Sequence, residues 1–100
     1  SKPDRFVEQT EIEGLRLFYE QCIKGDTSDN VKGIKGLGEA KAKKLLQGIK
    51  TEQEMFDIVY RLYPNKKDFL VDSQCLWLLR HEGDSFATRY ETLLNAQVQE

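Results

Sequence analysis

Apolar residues recur at three- and four-residue spacing through most of the chain, which is the pattern of amphipathic helices. The first such stripe predicts a helix over about residues 11–23. A capping box, Thr10 followed three residues on by Glu13, would start this helix, and Gly25 would end it. No stretch alternates between apolar and polar residues for long, so we predict no β-strand. The stripe consists of Ile12, Leu15, Phe18, Tyr19 and Cys22.

Four more helices follow, which makes the predicted fold all-α with about five helices. The second covers Glu39–Gln47, and a capping box at Thr51–Glu54 starts the third, which Pro64 ends. The fourth covers Lys66–Leu79, and the fifth follows a turn at Glu82–Asp84. The positions predicted to face inward are Ala42, Leu45, Leu46, Ile49, Met55, Ile58, Val59, Leu62, Phe69, Leu70, Ser73, Leu76, Trp77, Leu79, Phe86, Tyr90, Leu93 and Leu94.

The segment between the first two helices differs from the rest of the chain because three glycines fall within six residues. Gly33, Gly36 and Gly38 predict a tight hairpin, since neither a helix nor a strand tolerates that density of glycine. Gly-apolar-Gly at the start of a helix is the pattern of a helix-hairpin-helix. Its glycines let a phosphate approach the backbone, and the amides of the helix start point at the anion.

Lysines accompany this hairpin and supply positive charge beside those amides. Lys35 lies in the turn, Lys41 and Lys44 share one helix face, and Lys43 lies to the side. We expect contacts to the sugar-phosphate path and no reading of bases. The alternative is a plain αα turn whose lysines are only solvated. A P-loop is excluded because Gly38 is followed by Glu39. The residues predicted to bind DNA are Lys35, Gly36, Gly38, Lys41, Lys43 and Lys44.

Two acids just before the hairpin, Asp26 and Asp29, are three residues apart and would face the same way in a helical turn. Two carboxylates held together repel unless a cation lies between them, which suits Mg²⁺ or Mn²⁺. The alternative is that Ser28 or Asp29 caps a short helix that leads into the hairpin. Spacing alone favours the cap.

Composition narrows the class of protein. The chain has 100 residues, 39% of them hydrophobic and 32% charged, which fits one globular domain. The net charge of −2 means that binding to nucleic acid must come from local clusters of lysine. Cys22 and Cys75 are predicted to be reduced, buried thiols of a cytoplasmic protein. A single histidine, His81, and the lack of a CxxC motif argue against zinc. No apolar run is long enough to span a membrane.

The ends of the chain suggest its domain organisation. Residues 1–9 are polar and are predicted to be a linker or a remnant outside the domain. Residues 10–100 are predicted to form one helical domain. The chain starts without Met, which suggests a piece of a longer protein.

The stretch Gly25–Glu39, GDTSDNVKGIKGLGE, closely resembles the helix-three-turn-helix segment of the 5'-3' exonucleases and flap endonucleases. That family includes the nuclease domain of bacterial DNA polymerase I and the bacteriophage 5' nucleases. The resemblance implies a C-terminal, SAM-domain-like subdomain in which Asp26 and Asp29 belong to a second metal site for Mg²⁺ or Mn²⁺. It also implies that the hairpin grips duplex or flapped DNA. Backbone carbonyls of Gly33, Ile34 and Leu37 would hold K⁺ or Na⁺.

The same resemblance predicts what the chain lacks. Family members carry their main acid cluster on an N-terminal α/β domain with a basic arch, and this chain has neither. We therefore expect a monomeric fragment of a replication or repair nuclease that binds duplex DNA weakly and has no nuclease activity by itself. Two alternatives are a non-enzymatic helix-hairpin-helix module that binds DNA and a small helical domain that binds proteins.

Overall fold

The computed structural model describes residues 2–81 and 83–97, with side chains from Glu11 onward. It confirms an all-α fold of five helices, and the described residues form no strand. A short 3-10 helix covers Thr27–Asp29, and Asp26 and Val31 form an isolated antiparallel bridge. Part of the turn predicted at Glu82–Asp84 lies outside the described residues. The helices are α1 (Lys2–Lys24), α2 (Glu39–Leu46), α3 (Glu52–Leu62), α4 (Lys66–Arg80) and α5 (Ala87–Asn95).

Helix α1 begins at Lys2, so the predicted start near Thr10 is wrong. Thr10 and Glu13 match a capping box in spacing but lie inside the helix. Nothing between residues 2 and 10 breaks a helix, because Pro3 lies in the first turn, where its missing N–H costs nothing. The division of the chain into a linker at 1–9 and a domain at 10–100 stays a prediction.

Helix α1 is the centre of the molecule and packs against α2, α3 and α4. Four residues from its second half, Phe18, Tyr19, Cys22 and Ile23, are at most 1% exposed. The Phe18 ring packs edge-on against Trp77 of α4, with ring centroids 5.2 Å apart. The helices around α1 therefore hold its C-terminal end, from which the glycine hairpin emerges, in a fixed position.

The apolar stripes predict most of the buried positions correctly, but positions at the edges of the stripes are assigned wrongly. Leu45 and Leu79 were expected to face inward and are 37% and 59% exposed. Each lies beside the buried arc of its helix, where the neighbouring Leu46 and Leu76 fill the core. Phe56 was missed and is fully buried, because α3 packs against both α1 and α5 and so buries more than one stripe. Cys75 is half-buried where full burial was predicted, and both cysteines are free.

Side chains satisfy the backbone groups at several helix ends. The Thr51 hydroxyl accepts from the Glu54 N–H at 3.3 Å, which confirms the predicted cap of α3. Asn65 caps α4 by accepting from the N–H groups of Lys67 and Asp68. At the C-terminal end of α2, the Arg16 guanidinium of α1 donates hydrogen bonds to the carbonyls of Leu46 and Ile49. These bonds tie α2 to α1. Within the described residues, no helix is long and apolar enough to cross a bilayer.

The cap of α3 predicts a measurable stability effect. Replacing Thr51 by Ala removes the acceptor for the Glu54 N–H and should lower the free energy of unfolding by about 1 kcal/mol. Thr88→Ala, at an exposed threonine of α5, is the control and should change stability by less than about 0.5 kcal/mol. Urea denaturation followed by circular dichroism measures both, and equal effects would show that the cap is not stabilising.

Candidate nucleic-acid interface and acid pair

The hairpin between α1 and α2 is built from backbone hydrogen bonds. The Ile34 N–H donates to the carbonyl of Ile23 in the last turn of α1, at 2.7 Å. The Leu37 N–H then donates to the Ile34 carbonyl at 3.0 Å and closes a four-residue turn. Gly36 is the third residue of that turn with φ +85°, a value that favours glycine. The predicted tight hairpin is present.

Two glycines cross at the base of the hairpin at very short range. Gly25 and Gly33 both have positive φ, at +78° and +71°. A Cβ atom on Gly33 would lie 2.5 Å from the Gly25 nitrogen, and one on Gly25 would lie 2.7 Å from the Lys32 carbonyl oxygen. No side chain fits at either position, so these two glycines are required by the fold itself.

Gly38 differs from that pair because nothing in the protein requires a glycine there. Its φ of −89° suits any residue, and a Cβ atom would meet nothing within 4 Å. Gly38 precedes the first residue of α2, where the backbone amides have no partner within the helix. The missing side chain leaves the approach to those amides open.

A buried carboxylate on α4 holds the base of the hairpin. Asp72 is 2% exposed and accepts hydrogen bonds from the backbone N–H groups of Lys32 and Gly33, at 3.3 and 3.0 Å. Its third donor is the Tyr63 hydroxyl at 2.8 Å, whose single proton is shared with the Cys22 carbonyl. Burial, together with the nearby Cys22 and this hydrogen bond, raises the pKa of Tyr63, so the hydroxyl keeps its proton.

Asp72 is not among the residues predicted from the sequence. Its signal is an acid one residue before Ser73, a position predicted to face inward. An acid beside a predicted core stripe is worth noting, because a buried carboxylate must find donors to be tolerated.

The acids Asp26 and Asp29 lie side by side in the loop that the Asp26–Val31 bridge closes. Asp26 accepts from the backbone N–H and the hydroxyl of Ser28, at 3.1 and 2.6 Å, and so caps the 3-10 helix. The cap that was expected at Ser28 or Asp29 is therefore at Asp26. The Asp29 carbonyl accepts from the Cys75 thiol of α4 at 3.5 Å, which fixes the far side of the loop.

The pKa values of the two acids move in opposite directions. The pKa of Asp29 is raised, first by a hydrogen bond with the Asp26 carboxyl and then by desolvation and by the Asp26 charge. The pKa of Asp26 is lowered, chiefly by the hydrogen bond from the Ser28 hydroxyl. Two neighbouring carboxylates that share a proton are a pair whose repulsion a cation would relieve. In the described part of the chain, no group of three or more potential metal ligands occurs.

The predicted DNA-binding lysines differ in whether their ammonium groups already have a partner in the protein. Lys35 and Lys44 are exposed, and Lys41 reaches the Gly36 carbonyl only at 3.5 Å. Lys43 instead forms an ion pair, at 3.6 Å, with Glu20, which is 7% exposed. Lys35, Lys41 and Lys44 are therefore the better candidates for phosphate contacts.

One acid lies at the start of α2, where a phosphate would approach. Glu39 is in the first turn, and Lys24 of α1 pairs with it at 3.3 Å. This pairing offsets the repulsion that a lone carboxylate would exert on a phosphate.

The carbonyls expected to hold a monovalent ion lie in this same hairpin. The Ile34 carbonyl accepts the Leu37 N–H and has one lone pair left for another partner. The roles of Gly33, Ile34 and Leu37 toward an ion stay predictions. Outside the hairpin, Trp77 is buried against Phe18 as predicted, and His81 is exposed and stacks on Trp77.

Comparison with known proteins gives one informative similarity. Over 54 residues the chain is 39% identical to a 5'-3' exonuclease of Mycoplasmopsis pulmonis (strain UAB CTIP). The matched stretch is 54% of this chain but only 18% of that relative. No protein-family profile matches the chain. No solved structure matches it either.

The glycines separate into two classes that a substitution experiment can test. Gly33→Ala adds a methyl group at positive φ against the Gly25 backbone and should cost about 2 kcal/mol or more in unfolding free energy. Gly38→Ala adds the same methyl group into open space and should change stability by less than about 0.5 kcal/mol. Thermal denaturation of the two variants measures both changes in stability. Equal losses of stability would contradict the close crossing of Gly25 and Gly33.

The acid pair predicts a split titration. Asp29 should titrate above the ordinary aspartate pKa and Asp26 below it, as read from their side-chain carboxyl ¹³C shifts during an acid titration by NMR. Because a raised acid pKa disfavours the charged form, Asp29 should favour the folded state less as the pH rises through that pKa. In Asp26→Asn, the pKa of Asp29 should fall toward its ordinary value. Coincident, ordinary titrations in the unaltered protein would show that the carboxylates are not paired.

Proposed function

We propose that this chain is the DNA-gripping part of a 5'-3' exonuclease and that it holds the backbone of duplex or flapped DNA through the hairpin before α2. The observation that carries the proposal is the open start of α2. Unpartnered amides lie there behind a glycine that the fold does not need, and exposed lysines flank them. The similarity to a 5'-3' exonuclease supports a nuclease-related role for this site.

The grip follows from electrostatics and from close approach. Amides at a helix start and the helix dipole favour an anion, and Gly36 and Gly38 let a phosphate oxygen reach hydrogen-bonding distance. Lys35, Lys41 and Lys44 add charge around the same point. Such contacts do not depend on base sequence, which suits an enzyme that must act on any duplex.

Asp26 and Asp29 fit one side of a divalent-metal site. They are paired carboxylates, and the hydrogen bond between them is the main cause of the raised pKa of Asp29. Hard oxygen ligands of this kind suit Mg²⁺ or Mn²⁺. When bound, such an ion supplies Lewis-acid activation of a phosphodiester. The chain's own part is to hold the two acids beside the DNA grip, through the hydrogen bond from the Ser28 hydroxyl to the Asp26 carboxylate and the one from the Cys75 thiol to the Asp29 backbone carbonyl.

Two carboxylates are too few to hold a pair of ions about 4 Å apart. We therefore propose that an N-terminal α/β domain of the same enzyme supplies the remaining acids. The hairpin carbonyls would add a K⁺ or Na⁺ site, and the enzyme would act on cytoplasmic DNA during replication or repair. By itself, this chain should bind duplex DNA weakly and cleave nothing.

A non-enzymatic DNA-binding module is the second candidate, and the absence of a third acid near the pair among the described residues favours it. The two candidates differ in metal binding by the acid pair. Mn²⁺ should broaden the NMR signals of Asp26 and Asp29 in the unaltered chain and leave them sharp in Asp26→Asn. Unbroadened signals in both would favour the plain module.

The lysine cluster predicts a loss of affinity and of salt dependence. Changing Lys35, Lys41 and Lys44 to Glu should abolish most binding to a short duplex at low salt. The slope of log affinity against log salt should fall by about three, since each lost phosphate contact contributes about 0.9. Fluorescence anisotropy with a labelled duplex measures both quantities.

A matched control has the same change in net charge at other exposed sites. Lys50, Arg61 and Lys67 changed to Glu should reduce affinity only through the general field, with little change in slope. If both triple variants lose affinity and slope equally, the hairpin is not the site of the phosphate contacts.

A further inference from the structure

We propose that Asp72 is a positioning residue for DNA binding, which sets the conformation of the hairpin through the amides of Lys32 and Gly33. This inference rests on the proposed function. Asp72 lies on α4, 39 residues from Gly33 in the chain, and is buried, so DNA cannot contact it directly. Its effect on DNA would therefore be transmitted by the backbone.

Lys32 and Gly33 form the junction between the two parts of the candidate site. Before them, the Asp26–Val31 bridge closes the loop that carries the acids. After them, Ile34 bonds to α1 and the turn at Gly36 begins. A partner that fixes the amides of this junction fixes how the acid loop and the phosphate-binding turn lie relative to each other.

The conformation at the junction needs such a partner. Gly33 has a φ of +71° and passes so close to Gly25 that no side chain fits, and glycine loses more backbone freedom on ordering than any other residue. Hydrogen bonds to an ionised acceptor are stronger than those between neutral groups. The carboxylate is 2% exposed, so water does not compete for it.

Contacts from neighbouring elements fix Asp72 in turn. Tyr63, at the end of α3, shares its hydroxyl proton between Asp72 and the Cys22 carbonyl of α1. One turn further along α4, Cys75 contacts the Asp29 carbonyl, so α4 holds both the junction and the acid loop. The position of the hairpin is thereby fixed relative to α1, α3 and α4.

The test compares two variants in this network. Asp72→Asn replaces one of the two acceptor oxygens by an N–H₂ group, so at least one of the Lys32 and Gly33 amides loses its acceptor. Tyr63→Phe removes one donor but leaves both amide bonds in place. Affinity for a short labelled duplex is measured at low salt, at a temperature where circular dichroism shows every variant folded. The ¹H–¹⁵N signals of Lys32 and Gly33 report the junction directly.

Asp72→Asn should shift the amide signal of Lys32 or of Gly33 upfield and weaken duplex binding on the order of tenfold, if the competent turn falls to about a tenth of the population. The salt slope should not change, because the lysines still make their contacts in the bound state. Tyr63→Phe should lose stability but keep affinity within about twofold. Removing a negative charge would by itself strengthen DNA binding, so a loss cannot be a general field effect.

The outcomes separate this inference from the proposed function. An unaltered chain that fails to bind duplex at low salt overturns both. An unaltered chain that binds, with a folded Asp72→Asn whose Lys32 or Gly33 signal has moved but whose affinity is unchanged, overturns this inference alone. If Asp72→Asn does not fold, Asp72→Glu replaces it, since its carboxylate is displaced by one methylene. A folded Glu variant with a moved Gly33 signal and full affinity would equally overturn it.

Discussion

A single buried charge organises the functional end of this molecule. Asp72 would be costly in the core without partners, and three donors compensate it: two backbone amides of the hairpin and the Tyr63 hydroxyl. Such a network must be complete, because a buried carboxylate with only some of its hydrogen bonds is less stable in a core than an apolar side chain. The hairpin must adopt this one conformation for the core around α4 to be satisfied. Stability of the core and geometry of the candidate site are therefore coupled.

The glycines complement this network, because they allow the close approach of backbone segments that its hydrogen bonds require. Gly25 and Gly33 cross at a distance that excludes any side chain, which brings the start of the acid loop against its end. Gly38 has the opposite character, since the protein leaves the space around it empty. Because this glycine stands at the start of a helix and near lysines, we propose that an anion outside the protein approaches there. A phosphate of a DNA backbone fits that description.

Much of the fold was readable from local sequence. Helix spacing, the cap at Thr51 and the break at Pro64 placed α2, α3 and α4 to within about two residues, because these signals involve neighbours in the chain. The start of α1 was misplaced, since a capping-box spacing also occurs by chance inside a helix. Leu45 and Leu79 were misassigned because the width of a buried arc depends on which helices pack against it. That is a tertiary property which one helix's pattern does not contain.

The candidate site shows the same division. Glycines, lysines and the acids Asp26 and Asp29 all lie in one stretch of chain, so their proximity was predictable. Asp72 lies 40 residues from Lys32 and 39 residues from Gly33 in the sequence, so no local pattern joins it to the two amides that it holds. The pairing of Lys43 with Glu20 is also tertiary. Sequence therefore supplied the chemical groups, and the structure supplied what positions them and which lysines are free.

The central claim is that duplex DNA meets this protein at the start of α2. Titrating a short duplex into the ¹⁵N-labelled chain and mapping the amide shifts tests it most directly. The account predicts that the largest shifts fall on Lys35 through Lys41, with smaller ones at the acid loop and none beyond background in α5. Shifts concentrated around Trp77 and Arg89, or no shifts at low salt, would contradict it.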